Sequence, residues 1–389
     1  MNIRIQFLAM ATAVTLCATG LYSCKDYSSD EPLPDVYTQT LYVSSNNQIV
    51  YALDPLTGEK KWQFSVDGEV HATPLVYNNK VYIATATGVV YKLNTLTGEQ
   101  EATRSFGAAI EGTPLVRNGV LIVPSGTTIY AVDPGTLNDY FVSPHVLSYN
   151  IGGIINASPT VHDIDITDGS QALIVAGANN KVVALNQDLA EVWTATAPDA
   201  GAFYSSPCVV NNKYCYIGND NGYMYCFNTT ASDSLAWKYK TGGQVRSSPI
   251  QIGGNVLFGS NDRNFYSVDS ATGLLRWKVL TGDAVESSPA VYNQYVYFGS
   301  YDAHFYCVDI IDGTVNWEWV TAGLIKSSPL IYNGDVYFGG FDKNLYRLDA
   351  STGAQKMFPV DIYGQMETSP IIDTVGGAVV PSISGSYKW

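Results

Sequence analysis

Charge is scarce in this sequence, and positive charge is scarcer. Only 14% of the 389 residues are Asp, Glu, Lys or Arg, and 21 Lys and Arg stand against 35 Asp and Glu for a formal net charge of −14. No basic cluster occurs along the chain, which excludes nucleic acid and anionic lipid as partners bound by charge attraction. Histidine is rare: there are four, and His162 has no second His at ligand spacing. Cys-x-x-Cys spacing, an adjacent Cys-Cys pair and a haem-binding Cys-x-x-Cys-His are all missing, so the cysteines predict no metal or haem site. There is no Walker motif, phosphate-cradling Gly loop or Ser-His-Asp arrangement, and no catalytic residue is assigned. Helical periodicity is also missing downstream of residue 40.

What the chain does have is 46% hydrophobic residues, with 35 Gly and 28 Tyr, enough to bury a large core. Their order repeats. Pro74, Pro114, Pro159, Pro207, Pro249, Pro289, Pro329 and Pro370 mark units with a period of about forty residues, within the range of propeller blades. Each unit reads as four short strands, because β-branched and aromatic runs alternate with Gly, Asn and Asp turns. The clearest unit has Val296-Tyr297-Phe298-Gly299-Ser300, then Tyr306-Cys307-Val308-Asp309, Gly313, Trp317 and Ser327-Ser328-Pro329. The chain enters with a second strand, residues 41–45, and passes a last first strand at Ser369-Pro370-Ile371-Ile372. The last unit is then completed by the start of the chain, which leaves no long exposed edge. Residues 379–384 also read as a second strand, compete with 41–45, and are expected beside the closure. The predicted fold is all-β: an eight-bladed β-propeller of four-stranded antiparallel blades, a single domain over residues 39–389.

Third and fourth strands are linked by Ala52-Leu53-Asp54-Pro55-Leu56-Thr57-Gly58-Glu59-Lys60-Lys61-Trp62. Asp and Thr side chains bond backbone amides in such a turn, and Gly58 tolerates a left-handed conformation. The pattern recurs with Asp269, Thr272, Gly273 and Trp277, and with Asp309, Gly313 and Trp317. Trp193 and Trp237 sit in looser versions, and Ala102 and Met357 stand where two units would carry Trp. This spacing resembles the tryptophan-docking motif of the PQQ-like (pyrroloquinoline quinone) propeller repeat over residues 41 to 385. That resemblance implies a Trp wedged between adjacent blades.

Residues 1–23 carry Arg4 and then an apolar run, as a secretory signal does. Leu21-Tyr22-Ser23-Cys24 resembles a bacterial lipobox, which implies cleavage before Cys24 and its lipidation. Residues 24–38 then form a polar, Pro-containing tether. The expectation is an exported bacterial lipoprotein of the outer membrane, on the periplasmic face or cell surface, held to the membrane by the lipid anchor.

Beyond the anchor, Cys208, Cys215, Cys226 and Cys307 remain. A two-residue loop at Asn211-Asn212 places Cys208 opposite Cys215, and a four-residue loop at 219–222 places Cys226 on its other side. A disulfide and plain core packing are the two readings, the latter because Cys226 and Cys307 occupy a slot filled elsewhere by Ala52, Ala131 and Ala184. Between Pro159 and Ala172, Asp163, Asp165 and Asp168 alternate before Gly169, one residue off a calcium-loop spacing; an acidic hairpin tip is the competing reading.

First strands line the channel of a propeller, so the residue three before each proline belongs at the channel mouth. These residues are His71, Glu111, Asn156, Tyr204, Arg246, Glu286, Lys326 and Glu367. They form either a polar binding ring or a set of mutually neutralised charges. Lipobox, repeat count and short insertions together are similar to the BamB family of propeller lipoproteins. The resemblance implies a non-catalytic scaffold that assists outer-membrane protein assembly, with envelope proteins such as a β-barrel assembly complex as partners and no cofactor. Two other functions are weighed against it: a PQQ-dependent oxidoreductase holding quinone and calcium in the channel, and a surface glycan- or ligand-binding lipoprotein.

Overall fold

The computed structural model describes residues 39–142, 145–165, 170–211, 213–230, 234–374 and 377–379. Among them every regular element is a strand. Eight antiparallel sheets follow one another round a ring. We number the blades from the closure. Blade 1 combines Ile371–Thr374 with Thr40–Ser45, Ile49–Leu53 and Lys60–Ser65. Blades 2 to 8 begin at Leu75, Leu115, Thr160, Cys208, Ile250, Ala290 and Leu330, and each runs from the channel outward in chain order. In blade 3 a small hairpin, Phe141–Val142 with His145–Val146, interrupts the path to the fourth strand, Ser148–Asn150.

Closure follows the expectation, with one addition. Thr40–Ser45 takes the second-strand place, pairing Leu41 with Ile372 and Tyr42 with Ile371. Gly377–Val379 pairs on the opposite side of Ile371–Thr374, so blade 1 has five strands. Of the stretch 379–384 only Val379 lies within the described residues. The signal, Cys24 and the tether to residue 38 lie outside them.

The residue before each proline explains that signature. A proline forces its predecessor into extended backbone, and here the predecessor's amide points to the hydroxyl of its counterpart in the next blade. Six such bonds, at 2.9–3.0 Å, run Thr73, Thr113, Ser158, Ser206, Ser248, Ser288, Ser328. Seven blades are therefore stitched together beside the axis by single hydrogen bonds.

At the rim the blades are held by the link motif. Asp54 Oδ1 accepts from the amides of Leu56 and Thr57 and from the Thr57 hydroxyl, and Asp269 repeats the pattern. Four Trp bond to the following blade, whereas buried Trp193 Nε1 has no hydrogen-bond partner among the described residues. Trp62, Trp237, Trp277 and Trp317 donate Nε1–H to the carbonyls of Thr95, Ser270, Ile310 and Ala350 at 2.9–3.1 Å. Gly98, Gly273, Gly313 and Gly353 lie against those rings: a Cβ on any of them would come within 2.6–2.8 Å of indole carbons.

Units without Trp are clasped differently. Met357 packs on Gly58, taking the ring's place. The residue paired opposite the Trp is small, as in Ala52, Cys226, Ser267 and Cys307, but opposite Ala102 it is Lys92 and opposite Met357 it is Arg347. Lys92 Nζ donates to the carbonyl of Gly135 at 2.6 Å and Arg347 Nη1 to that of Leu56 at 2.7 Å, both in the next blade's turn. In blade 3, buried Arg117 donates to the carbonyls of Leu185, Asn186 and Gln187 of blade 4, and burial pushes its pKa down to about 10. A cation thus replaces the indole as donor across the three Trp-less seams.

The cysteine register differs from the expected one. Val210 pairs with Tyr214, so Cys208 faces Tyr216 and Cys215 faces Val209; Cys226 also faces Tyr216. Each loop is one residue longer than assumed, which moves every pairing by one and places Cys215 on the opposite face from the other two. All four thiols are free and buried. Asp163 and Asp165 fall in the hairpin Thr160–Asp165 with Ser170–Ala176, which carries a bulge between them; Asp168 and Gly169 lie outside the described residues.

Candidate functional site

The ring residues follow one buried apolar residue each, from Val70 and Ile110 round to Ile325 and Met366. That anchor fixes the backbone, and the next side chain is left half-buried or, for Tyr204, 40% exposed. A second repeated bond sets what stands beside it. In every blade an amide of the turn between second and third strands donates to the carbonyl two residues before the ring position, from Asn46 to Gln365 and Ala86 to Glu69 through to Tyr301 to Ala284 and Phe341 to Leu324, at 2.8–3.0 Å. Two positions per blade therefore share the mouth, the ring residue and the donor of this latch, and in blade 3 the latter is Gly126, which adds no side chain.

The eight ring residues fall into groups. His71 Nδ1 lies 2.7 Å from Glu111 Oε2, and its Nε2 lies 3.2 Å from Glu69. The hydrogen bond to Glu111, reinforced by its charge and by Glu69, raises the His71 pKa to about 9 against the opposing effect of burial. Lys326 Nζ meets Glu367 Oε2 at 2.6 Å, and Glu367 also contributes to the field at His71. Asn156 is half-buried.

The densest group spans blades 5 to 7. Arg246 grips Asp220 through Nε and Nη2, both at 2.9 Å, and lies 3.7 Å from Glu286. Its guanidinium stacks 4.5 Å from the centroid of the Tyr204 ring. Glu286 accepts from Asn261 Nδ2 at 2.9 Å and from the Tyr301 hydroxyl at 2.7 Å. Burial and the Glu286 charge raise the Tyr301 pKa, and the hydrogen bond to Asp220 raises that of Arg246.

Asp220, Asn261 and Tyr301 are latch donors that the ring rule missed. Their signal was present: the position changes from Asn46 to Ala86, Gly126, Ala178, Asp220, Asn261, Tyr301 and Phe341, while the next residue in the last three units stays Asp. That Asp is architectural. Asp262, Asp302 and Asp342 each accept from a hydroxyl four residues on, Tyr266, Tyr306 and Tyr346, so these tyrosines hold turns as well as pack.

Residues 28–136 and 178–375 match the family described as outer membrane protein assembly factor BamB. The chain belongs to that family. Residues 137–177, between the matched parts, hold the extra hairpin of blade 3 and the start of blade 4. Among solved structures the chain is similar to BamB from Moraxella catarrhalis, with 18% identity, 79% of this chain and 89% of that one covered, and a TM-score of 0.63. It is also similar to quinohemoprotein alcohol dehydrogenase from Comamonas testosteroni, with 12% identity, 78% and 70% covered, and a TM-score of 0.61. Citrobacter koseri AztD follows with 11% identity, 86% and 98% covered, and a TM-score of 0.60. At such identities these likenesses establish the fold. No curated protein matches the chain in sequence.

Proposed function

We propose that this BamB-family propeller is a non-catalytic scaffold of the bacterial envelope, lipidated at Cys24, that binds protein partners in outer-membrane protein assembly through its channel mouth. The family match over both parts of the ring carries this reading. The mouth suits it, because two positions that vary from blade to blade are presented on one repeated backbone frame. Rigid loops of that kind suit recognition of a partner segment.

A PQQ-dependent oxidoreductase is the second reading, favoured by the fold shared with the alcohol dehydrogenase. Weighing against it, no three His, Cys, Asp or Glu among the described residues are grouped to hold a metal such as calcium. The carboxylates of Glu111, Asp220 and Glu367 already face His71, Arg246 and Lys326. A photo-crosslinking residue in place of exposed Tyr204, in the intact cell, is expected to capture an envelope protein. Absence of any adduct, together with dye reduction by the purified protein when PQQ, calcium and an alcohol are added, would overturn the scaffold reading.

A further inference from the structure

Among the described residues, seven blades end at the channel on their first strand, and blade 1 does not. There Gly377–Val379 continues the sheet inward, with Val379 opposite Ile372, Ala378 opposite Asp373 and Gly377 opposite Thr374. It also lies beside Leu75–Tyr77, the first strand of blade 2. The added strand therefore stands on the channel side of the ring. It is held by three register pairs, the same number that join Ile371–Thr374 to Thr40–Ser45, but it is paired on one side only among the described residues. A strand of three residues paired on one side belongs to the elements that open locally at low cost. The edge beneath it is a row of backbone donors and acceptors, which is what strand addition uses for affinity.

We propose that the channel-side edge of Ile371–Thr374 is a strand-addition site for an extended segment of a partner protein, and that the chain's own Gly377–Val379 fills it until that partner arrives. The resident sequence, Gly-Ala-Val, defines the segment that fits: small and uncharged, since it must pass beside Leu75–Tyr77. This inference rests on the scaffold reading and specifies how a partner would be held.

The test uses the full chain and a double variant, Ala378→Pro with Val379→Pro. Consecutive strand residues point their amides to opposite sides, so two adjacent prolines remove at least one amide that faces Ile371–Thr374, whichever of the two faces it. The probe is a fluorescent peptide of residues 375–383, followed by anisotropy. The variant is expected to bind it saturably and at least ten-fold more tightly than the wild type, whose site is filled. Equal binding, or none by a variant that still melts cooperatively, overturns the proposal. Hydrogen exchange on the wild type guards against a variant that misfolds: amides of 371–374, and those of 377–379 that face that strand, should exchange more slowly than an open loop, and exchange at the rate of an open loop overturns the proposal as well. No envelope partner enters these assays, so their failure leaves the scaffold reading standing, and a failed crosslink leaves the peptide result standing.

Discussion

Replacing Arg347 by Ala separates the cation clasp from the ordinary Trp dock. Arg347 is 14% exposed at its side chain and its partner Asp335 is 10% exposed. Nε and Nη2 contact Asp335 Oδ2 at 2.8 and 2.5 Å, while Nη1 crosses to the Leu56 carbonyl in blade 1. Alanine leaves a buried carboxylate without its cation, a loss of about 3–5 kcal/mol for fully buried pairs, and removes one bond worth about 1 kcal/mol. The residual exposure places the expected total near the lower end, about 3 kcal/mol. With an unfolding entropy of roughly 2.1 cal/mol/K per residue over a ring of this size, that lowers Tm by about 4 °C. Trp317→Phe should cost less, about 1 kcal/mol, because the Tyr297 hydroxyl also donates to the Ala350 carbonyl and keeps it satisfied. The triple change Arg347→Cys, Met357→Trp and Asp335→Asn rebuilds the common unit and should recover most of the Arg347→Ala loss. Calorimetry and urea unfolding at one pH measure all three. An Arg347→Ala protein within about 1 kcal/mol of wild type, or one no less stable than Trp317→Phe, would refute the clasp.

Gly353 has φ +70° and its Cβ would lie 2.8 Å from Trp317, whereas Gly107, at φ +81°, has nothing within 4 Å. Gly353→Ala should therefore cost about 2–4 kcal/mol in urea unfolding and Gly107→Ala about 1–2; equal losses would show that ring contact contributes nothing. The folded pKa of His71 is raised to about 9 from 6.5, so its contribution is complete below pH 6.5 and lost as pH rises through 9. His71 is 30% exposed, so over that window wild type should lose about 1–2 kcal/mol more than His71→Gln; parallel pH profiles would refute the pairing. Burial pushes the thiols of Cys208 and Cys226 up to about 12 and that of Cys307 to about 11. A thiol reagent at pH 8 should label none of them until the protein unfolds, and rapid labelling of any one in the native protein would count against its burial.

The ring was legible because its signals are local. Proline, Asn-Gly and Asp-x-x-Thr-Gly each set backbone angles by themselves, and Asn333 and Gly334 do take positive φ of 51° and 80°. Register was not, since one extra residue at each turn of blade 5 shifts every pair, and loop length is decided by turn geometry that composition does not specify. Along their own strand Ala102 and Met357 show only that Trp is missing. Read across to the paired strand, Lys92 and Arg347 supply the missing donor, so the compensation is a cross-strand property.

The mouth was half legible for the same reason. The ring from His71 to Glu367 could be found by counting back from proline, but Asp220, Asn261 and Tyr301 come from another hairpin and reach it only through the latch bonds. Their arrival changes what the ring can do. Arg246 is held by Asp220, Glu286 by Asn261 and Tyr301, Lys326 by Glu367 and His71 by Glu111. A charged partner would have to displace these contacts before gaining its own, so charge complementarity yields little net affinity there. The exposed ring of Tyr204, backed on one side by the Arg246 guanidinium, needs no such displacement. Recognition at the mouth is therefore expected to centre on that ring, and Tyr204→Ala should weaken partner capture more than Lys326→Ala does, with the photo-crosslinking residue placed at Asn156 in both. The reverse order would mean that the charges, not the aromatic face, select the partner.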